Sequence, residues 1–556
     1  MVAETEKREG SARSAQWVAA GILLSRIAGL VREAFIGRYL GTSYAADSFR
    51  TALRLPNVLQ NLLGEGTLSA SFIPVYSELL EQGREEEAGR VAGAIFALLT
   101  ALAGGLALLG IVAAPVLVSV FTPGFAGDPR YDLTVRLVRI IFPMAGVLVL
   151  SAWSLGVLNS HRKFFIPYVA PVLWNGAIIG ALIAFGPGAS QSSLAVIMGW
   201  AALLGGGLQF GIQLPWVARV SRGLRIRWDL KLAGVRETIR NAGPAIAGRG
   251  VVQLSGYVDI FLASLLGIGA VATLTYAQTL YLLPVSLFGM AVAAAELPEL
   301  SRERLDPERI RQRVNQGLGQ VAFYVIPSLL AFMAVGDVVV AALYERGEFT
   351  ASDTLVTWAI LGVYSIGLFA STGTRVFSSA FFALHDTKTP AKVAAMRVGF
   401  SAALGVLLMV QFGRMAFDGA TLGPITIPAF SLGPYGFGIW TFEPIGGETL
   451  GPVGLAGAAG VAAWLEWGLL RRRLDAVVGS VRPPTGKVIR MMAAGLVAAG
   501  VARGLAHLLS PGLGHVLTAA AVLGAFGLVY LGLTRLFGLE EGRAFIDRFW
   551  RRLGRR

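Results

Sequence analysis

The residues of this chain that are best placed to do chemistry are charged side chains inside strongly apolar segments. In residues 47–65, polar side chains recur at spacings of three or four residues, which puts them on one face of a helix. They are Asp47, Arg50, Arg54, Asn57, Asn61 and Glu65. An unpaired polar group facing lipid costs roughly several kcal/mol. We therefore predict that this face lines an aqueous cavity or pairs with another helix.

An alternative interpretation is that these charges only neutralise one another. Asp47 would then pair with Arg50 or Arg54, and Arg32 would pair with its neighbour Glu33. The stripe is long and has more cations than anions, which favours the aqueous cavity. Pro56 removes a backbone hydrogen bond within the stripe, so we predict a kink there.

Other apolar segments also carry ionisable residues, which are expensive in a bilayer and usually face a cavity or a partner. These residues are Arg26, Arg32, Arg249, Asp259, Glu296, Arg375 and Arg397. A cavity with surplus guanidinium groups suits an anionic substrate, because Arg binds phosphate bidentately. We predict two gating ion pairs, Glu65 with Arg375 and Asp259 with Arg397. Alternatively, Asp259 binds a coupling cation or a proton.

The composition indicates what kind of scaffold must position these charges. Of the 556 residues, 54% are hydrophobic and only 15% are charged, whereas soluble domains are about 25% charged. The sequence therefore predicts an all-α, polytopic membrane protein. Cys is absent, which excludes disulfides, thiolate metal sites and Cys nucleophiles. The net charge of +14 is explained by basic loops on one side of the membrane, so nucleic acid is not an expected partner.

About fourteen segments are long enough to cross a bilayer, which takes roughly 20 apolar residues. They span 16–40, 44–78, 89–121, 132–158, 164–186, 192–218, 243–267, 270–300, 317–343, 354–383, 390–412, 451–470, 487–508 and 514–536. If the N-terminus is cytoplasmic, about 34 of the 48 Lys and Arg lie on the inside, as the positive-inside rule requires. Both termini are then cytoplasmic. The tail 540–556 is expected to be a basic amphipathic helix on the inner leaflet or a solvated end.

Weak similarities between sequence segments about six spans apart favour a parallel repeat of the kind found in secondary transporters. Residues 159–163 followed by Pro167 resemble residues 385–388 followed by Pro390. The predicted architecture is two six-helix lobes around a central cavity, with two extra C-terminal helices. The N-lobe covers 1–240, and the C-lobe covers 241–470 with a long outside loop at 413–450. Residues 471–556 hold helices thirteen and fourteen and the tail.

No catalytic motif accompanies this scaffold. The chain lacks a Walker A sequence, a His-Glu-x-x-His zinc motif and a Gly-x-Ser-x-Gly elbow. We therefore predict no enzymatic activity, no catalytic residues, no metal site and no cofactor. A secondary transporter or flippase fits better than an ATP-driven pump or a hydrolase.

Several motifs resemble those of the MurJ/MviN lipid II flippases, of the multidrug/oligosaccharidyl-lipid/polysaccharide exporter superfamily. They are SRIAGLVRE at 25–33, ADSF at 46–49, LPN at 55–57, GEGTLSASFIP at 64–74, LYERGEF at 343–349 and KTP at 388–390. The resemblance covers residues 15–540 and implies fourteen helices, two lobes and a hydrophobic groove for a lipid tail. It implies alternating-access movement of the undecaprenyl-pyrophosphate-linked peptidoglycan precursor to the outer leaflet, driven by membrane potential or an ion gradient. The implied location is the bacterial inner membrane, with cell-wall synthesis proteins as candidate partners.

The resemblance also implies site residues. Arg26, Arg32 and Asp47 match charged cavity positions of the family, Glu65 matches its motif acid and Arg375 a basic position in the tenth helix. With the polar stripe, the predicted substrate-binding residues are Arg26, Arg32, Asp47, Arg50, Arg54, Asn57 and Arg249.

Two departures leave the substrate open. Gln60 stands where the family often has Arg, and Thr279 lies in a helix that usually carries a charged pair. Arg249 is a candidate replacement for the missing cation. A flippase for another polyprenyl-pyrophosphate glycan, or a cation-coupled drug exporter, is the alternative.

Overall fold

The structure of the chain is a computed structural model. It describes residues 2–303, 305–412, 416–418, 421–422, 448–509, 512–543 and 545. Side-chain surroundings are described for these residues except 2–17, 19, 247–255, 294, 416–418, 421–422 and 448–449. Most of the tail 540–556 and most of the loop 413–450 therefore lie outside the described residues.

The described chain is almost entirely helical and divides into two compact units, Met1–Gly269 and Ala270–Arg556. The all-α prediction is confirmed. The contacts divide the chain at Gly269, one helix later than the predicted lobe boundary at residue 240. The three-part division of the sequence stays a prediction.

The first unit consists of twelve helices in its described residues, several of them short pieces of broken segments. They are α1 (Val2–Leu40), α2 (Tyr44–Arg54), α3 (Asn57–Leu63), α4 (Glu65–Glu81), α5 (Glu85–Val112), α6 (Ala114–Phe121), α7 (Pro129–Ser160), α8 (Phe165–Val169), α9 (Pro171–Phe185), α10 (Gln191–Gly211), α11 (Leu214–Val220) and α12 (Ala233–Ser264). A 3₁₀ turn, Pro123–Phe125, precedes α7.

The second unit consists of nine helices and three very short strands in its described residues. The helices are α13 (Ala270–Pro284), α14 (Met290–Arg302), α15 (Pro307–Tyr344), α16 (Ala351–Ile366), α17 (Leu368–Ala383), α18 (Lys388–Phe412), α19 (Gly451–Val478), α20 (Thr485–Leu509) and α21 (His515–Leu536). A π-helical turn, Val285–Gly289, joins α13 to α14. Strands β1 (Ala416–Asp418), β2 (Thr421–Leu422) and β3 (Glu448–Thr449) pair antiparallel in the order β2-β1-β3, inside the predicted outside loop.

Ten helical stretches of the described residues are long and apolar enough to cross a membrane. The bent pair of α16 and α17, at 42°, makes an eleventh. The chain is thus a multi-pass membrane protein. The other three predicted spans coincide with α1, the run α2–α4, and α12, which are helical and carry several of the intramembrane charges. The count of fourteen stays a prediction.

The second predicted span is broken twice. Its first helix ends at Arg54, the next begins at Asn57 and the third begins at Glu65. Pro56 lies at the first break, where the kink was predicted, and Gly64 lies at the second. The polar residues at 47–65 are consequently distributed over three short helices instead of one continuous face.

Close packing of buried apolar side chains holds each unit together, because van der Waals contacts between helices stabilise them in a bilayer. In the first unit, Phe72, Tyr76 and Trp153 pack in the core between α4, α5 and α7. In the second unit, Phe377 and Trp467 pack between α17 and α19, with ring centroids 4.7 Å apart. Helix starts are capped conventionally: the Asp128 carboxylate accepts from Arg130 N at the start of α7.

Candidate functional site

A cluster of charged side chains lies between α1, α2 and α9 in the first unit, and we call it the guanidinium cluster. The Glu33 carboxylate sits between two guanidinium groups, with Oε1 2.6 Å from Arg32 Nη2 and Oε2 2.9 Å from Arg50 Nη1. Glu33 and Arg50 are buried, and Arg32 is nearly so. Charge-assisted hydrogen bonds of this kind are the strong ones in a protein interior.

Helix α9 holds the cluster from its other side. Arg32 Nη1 donates to Asn175 Oδ1 at 3.0 Å, and its guanidinium carbon lies 4.7 Å from the Trp174 ring centroid. The Asn175 amide is itself fixed, because its Nδ2 donates to the Pro171 carbonyl at 3.0 Å. A stacked and hydrogen-bonded guanidinium is oriented in advance for planar anion recognition.

A second charged group, which we call the loop clamp, surrounds Asp47 at the start of α2. The Asp47 side chain is fully buried, and its Oδ2 accepts from Gly269 N at 2.8 Å. The same Oδ2 lies 3.4 Å from Arg130 Nη1. Arg130 also pairs with Asp128 at 2.9 Å. Asp47 therefore neutralises a buried cation and caps a backbone amide.

The backbone of residues 264–269 completes the loop clamp. Arg130 Nη1 also donates to the carbonyls of Leu266 and Gly267, at 3.4 and 3.3 Å. Gly269 has φ +91°, and an added Cβ there would meet the Thr42 carbonyl oxygen at 2.8 Å. Only glycine allows this approach. The clamp therefore ties the end of α12 to the turn before α2 and to the start of α7.

The structure thus separates the stripe predicted in the second span. Arg50 belongs to the guanidinium cluster and Asp47 to the loop clamp. Arg54 and Asn57 are half-buried, and Glu65 is exposed at the first residue of α4. Of the ion pairs that the alternative interpretation predicted, Arg32 with Glu33 forms. Asp47 pairs with Arg130 on α7.

The other predicted residues of the first unit lie on α1 and α12. Arg26 and Asp259 are half-buried, and each has an interaction within the structure. Arg54 approaches α12, since a Cβ on Gly256 would lie 3.5 Å from its Nη2. The Tyr257 hydroxyl donates to the carbonyls of Arg54 and Leu55, at 3.4 and 3.3 Å. The backbone of Arg249 is helical, and its side chain lies outside the described residues.

In the second unit, Arg375 is exposed on α17. Arg397 on α18 pairs with Glu466 on α19, with Nη1 3.1 Å from Oε2. Glu466 is a partner that the sequence analysis did not consider. The predicted pairs Glu65–Arg375 and Asp259–Arg397 each join residues of different units and stay predictions.

Sequence reasoning missed four residues of these sites: Arg130, Asn175 and Trp174 in the first unit and Glu466 in the second. A signal existed for Glu466, a carboxylate inside the predicted span 451–470, where such residues need a partner. No signal of spacing connects Arg130 with Asp47, which are 83 positions apart.

Comparison with known proteins identifies the family to which this chain belongs. A sequence profile described as "Lipid II flippase MurJ" matches residues 36–429. The chain belongs to the MurJ family. A probable lipid II flippase MurJ of Rhizobium tropici is 33% identical over 397 residues, which cover 70% of this chain and 74% of the relative.

Solved structures agree with this fold. A lipid II flippase MurJ in an inward closed conformation superposes with a TM-score of 0.71 at 22% identity, covering 94% of this chain and 98% of that one. A multidrug resistance MATE transporter of the MOP superfamily, inward-facing, gives a TM-score of 0.61 at 17% identity, covering 81% of this chain and 95% of that one. The MurJ fold thus holds the guanidinium cluster within its first unit.

Proposed function

We propose that this protein moves lipid II, the undecaprenyl-pyrophosphate-linked peptidoglycan precursor, from the cytoplasmic to the outer leaflet by alternating access. Membership of the MurJ family supports the substrate. The proposal includes no nucleotide hydrolysis, and membrane potential or an ion gradient would supply the energy.

The observation that carries the proposal is the pair of guanidinium groups held by one carboxylate between helices of the first unit. Arg32 and Arg50 share one carboxylate, Glu33, so the cluster has a net positive charge. Arg26 and Arg54 add two more cations to α1 and α2. Two guanidinium groups on one carboxylate favour an anionic headgroup over a cationic drug, since desolvated charges need opposite charges nearby.

The geometry suggests how a pyrophosphate would bind. The Glu33 oxygens accept from both guanidinium groups at 2.6 and 2.9 Å. Pyrophosphate oxygens would compete for the same donors, and Arg can bind them bidentately. Asn57 and Arg249 remain proposed contributors to the same headgroup. Asp47 is proposed to act through the loop clamp, by fixing α2.

Conformational gating is proposed for two ion pairs between the units, Glu65–Arg375 and Asp259–Arg397. The Arg397–Glu466 pair at 3.1 Å supplies a second partner that Arg397 could exchange for Asp259. Transport should be measured for Glu65→Gln, Arg375→Gln and the charge swap. Undiminished transport in both single variants would contradict the first pair.

We propose a location in the bacterial inner membrane with both termini cytoplasmic. The distribution of Lys and Arg supports this orientation. Because the chain has no Cys, single cysteines placed at Ser11 and in the 413–450 loop can be labelled without background. An impermeant thiol reagent should label only the loop in intact cells.

Cell-wall synthesis enzymes are the proposed partners, and the same cysteines allow crosslinking to them.

The function is tested by complementing a bacterium depleted of its own flippase and labelling lipid II on the outer leaflet. Restored growth and outer-leaflet lipid II are expected. Well-expressed protein that restores neither would refute the peptidoglycan assignment. If it instead moved another polyprenyl-pyrophosphate glycan in vesicles, the alternative raised by Gln60 and Thr279 would hold.

The guanidinium cluster is tested by Arg32→Gln, with Arg38→Gln as the matched control on the same helix. Arg38 is exposed and lies 5.5 Å from the Tyr39 ring, away from Glu33. Loss of transport is expected for Arg32→Gln alone. The thermal unfolding midpoint separates this loss from misfolding, and equal transport by both variants would contradict the binding role.

A further inference from the structure

The loop between α11 and α12 has an unusual combination of a fixed backbone and an exposed basic, aromatic surface. We call residues 222–231 the interfacial strap. Its backbone lies directly on α5: an added Cβ at Gly89 would overlap the Arg222 carbonyl oxygen, and one at Gly93 would overlap the Arg225 carbonyl oxygen. Gly223 adopts φ +71°, and its Cβ would meet Glu86 Cα at 2.9 Å. Glycine is therefore needed on both sides of this contact.

Further contacts fix both ends of the interfacial strap. Before it, the buried Ser221 places its hydroxyl 3.2 Å from the Tyr76 hydroxyl. After it, Leu232 packs against the core of the first unit, as Leu224 does within the strap. Lys231 N donates to Asp229 Oδ1 at 2.9 Å, and Arg236 Nε donates to the Leu230 carbonyl at 3.2 Å. The strap is thus a shaped part of the surface.

Apart from the half-buried Leu224 and Asp229, the residues of the strap are exposed. Three large apolar ones are exposed: Ile226 by 64%, Trp228 by 59% and Leu230 by 43%. Arg225, Arg227 and Lys231 alternate with them and are exposed too. Among the described residues, no carboxylate pairs within 4.0 Å with the side-chain nitrogens of these three cations.

The position of the strap relative to α5 places it at the edge of the bilayer. Helix α5 is one of the membrane-spanning helices, and its first turn carries Glu85, Glu86 and Glu87. Gly89 and Gly93 lie in the next two turns. The strap therefore runs at the level of lipid headgroups, where Trp and the long basic side chains are favoured.

We propose that the interfacial strap is a binding surface for anionic phospholipids. Arg225, Arg227 and Lys231 contact the headgroup phosphates, while Ile226 and Trp228 insert between the headgroups. Charge complementarity supports an anionic lipid over a zwitterionic one, since each Lys or Arg near such a surface strengthens binding. A solvated loop would gain nothing from three exposed apolar side chains on a fixed backbone. This proposal does not depend on what the protein transports.

The test uses the full chain in nanodiscs of phosphatidylcholine with increasing phosphatidylglycerol, and native mass spectrometry counts the bound lipid. Arg225→Gln/Arg227→Gln should weaken phosphatidylglycerol binding roughly thirtyfold, at about 1 kcal/mol for each basic side chain. The matched control is Arg309→Gln/Arg311→Gln, because these cations already pair with Asp306 and Glu308, at 3.3 and 2.6 Å. Unchanged binding in the strap variant, or equal loss in the control, would overturn the proposal.

Insertion is tested separately by fluorescence quenching with phosphatidylglycerol brominated near its headgroup. The chain has 11 tryptophans, so the contribution of Trp228 is the difference between wild type and Trp228→Phe. Strong quenching of this difference signal is expected, and it should persist when inorganic pyrophosphate is added. An unquenched signal, or its loss on adding pyrophosphate, would refute a lipid-bound strap.

Discussion

The loop clamp makes a quantitative prediction about Asp47. Replacing Asp47 by Asn keeps an oxygen acceptor for Gly269 N but removes the charge that faces Arg130. At 3.4 Å, two unit charges attract by about 5 kcal/mol at an effective dielectric near 20. Arg130 keeps Asp128 at 2.9 Å and two carbonyl acceptors. We therefore expect Asp47→Asn to lower the free energy of unfolding by about 2–3 kcal/mol, below the usual 3–5 for an orphaned buried charge.

A double-mutant cycle isolates the pair from the rest of the clamp. Asp47→Asn, Arg130→Gln and the double variant are unfolded in the same detergent, and the three free-energy changes are compared. A direct interaction should give a coupling energy of about 1–3 kcal/mol. The matched control combines Asp47→Asn with Arg309→Gln, since Arg309 pairs with Asp306 instead, and additive effects are expected there. Additive effects within about 0.5 kcal/mol for Asp47 and Arg130 would refute the reasoning.

Two further predictions concern packing and protonation. Gly373→Ala should destabilise the second unit by about 1–3 kcal/mol in a thermal unfolding assay, because its Cβ would overlap the Trp467 ring. The control Gly362→Ala has open space at its Cβ and should be neutral or stabilising. Equal effects of the two substitutions would contradict the overlap. Burial lowers the pKa of His161 from 6.5, so the unfolded chain takes up the proton first and stability should fall as pH drops below about 6.5. His161→Asn should flatten that decline in the unfolding midpoint between about pH 7 and 5, and an unchanged slope would contradict the assignment.

The fold was largely predictable because hydrophobic runs and their breaks are local signals. Each predicted span coincides with a helix or a broken run of helices in the described residues, and Pro56 ended α2 as its chemistry requires. The segments α1, α2–α4 and α12 are helical, but they are not among the stretches of the described residues that are long and apolar enough to cross a membrane. The short strands near Ala416 were not predicted, since two or three residues leave too little pattern to detect.

The partners in the candidate sites were much less predictable. Helical spacing placed Asp47 and Arg50 on one face, yet each found its partner on a different neighbouring element. Arg130 was not predicted as a site residue, although it is buried and pairs with Asp47. Spacing along a helix determines which side chains share a face, but tertiary packing decides which of them meet.

The fixed backbone of the interfacial strap affects how readily proteases cleave the protein there. A loop with Arg222, Arg225, Arg227 and Lys231 carries four trypsin sites within ten positions. A protease needs an extended, detached segment of chain, and here the peptide groups lie pressed against Gly89 and Gly93. Cutting at these bonds therefore requires the segment to lift off α5 first. The rate of digestion by trypsin therefore measures how readily the strap detaches from α5.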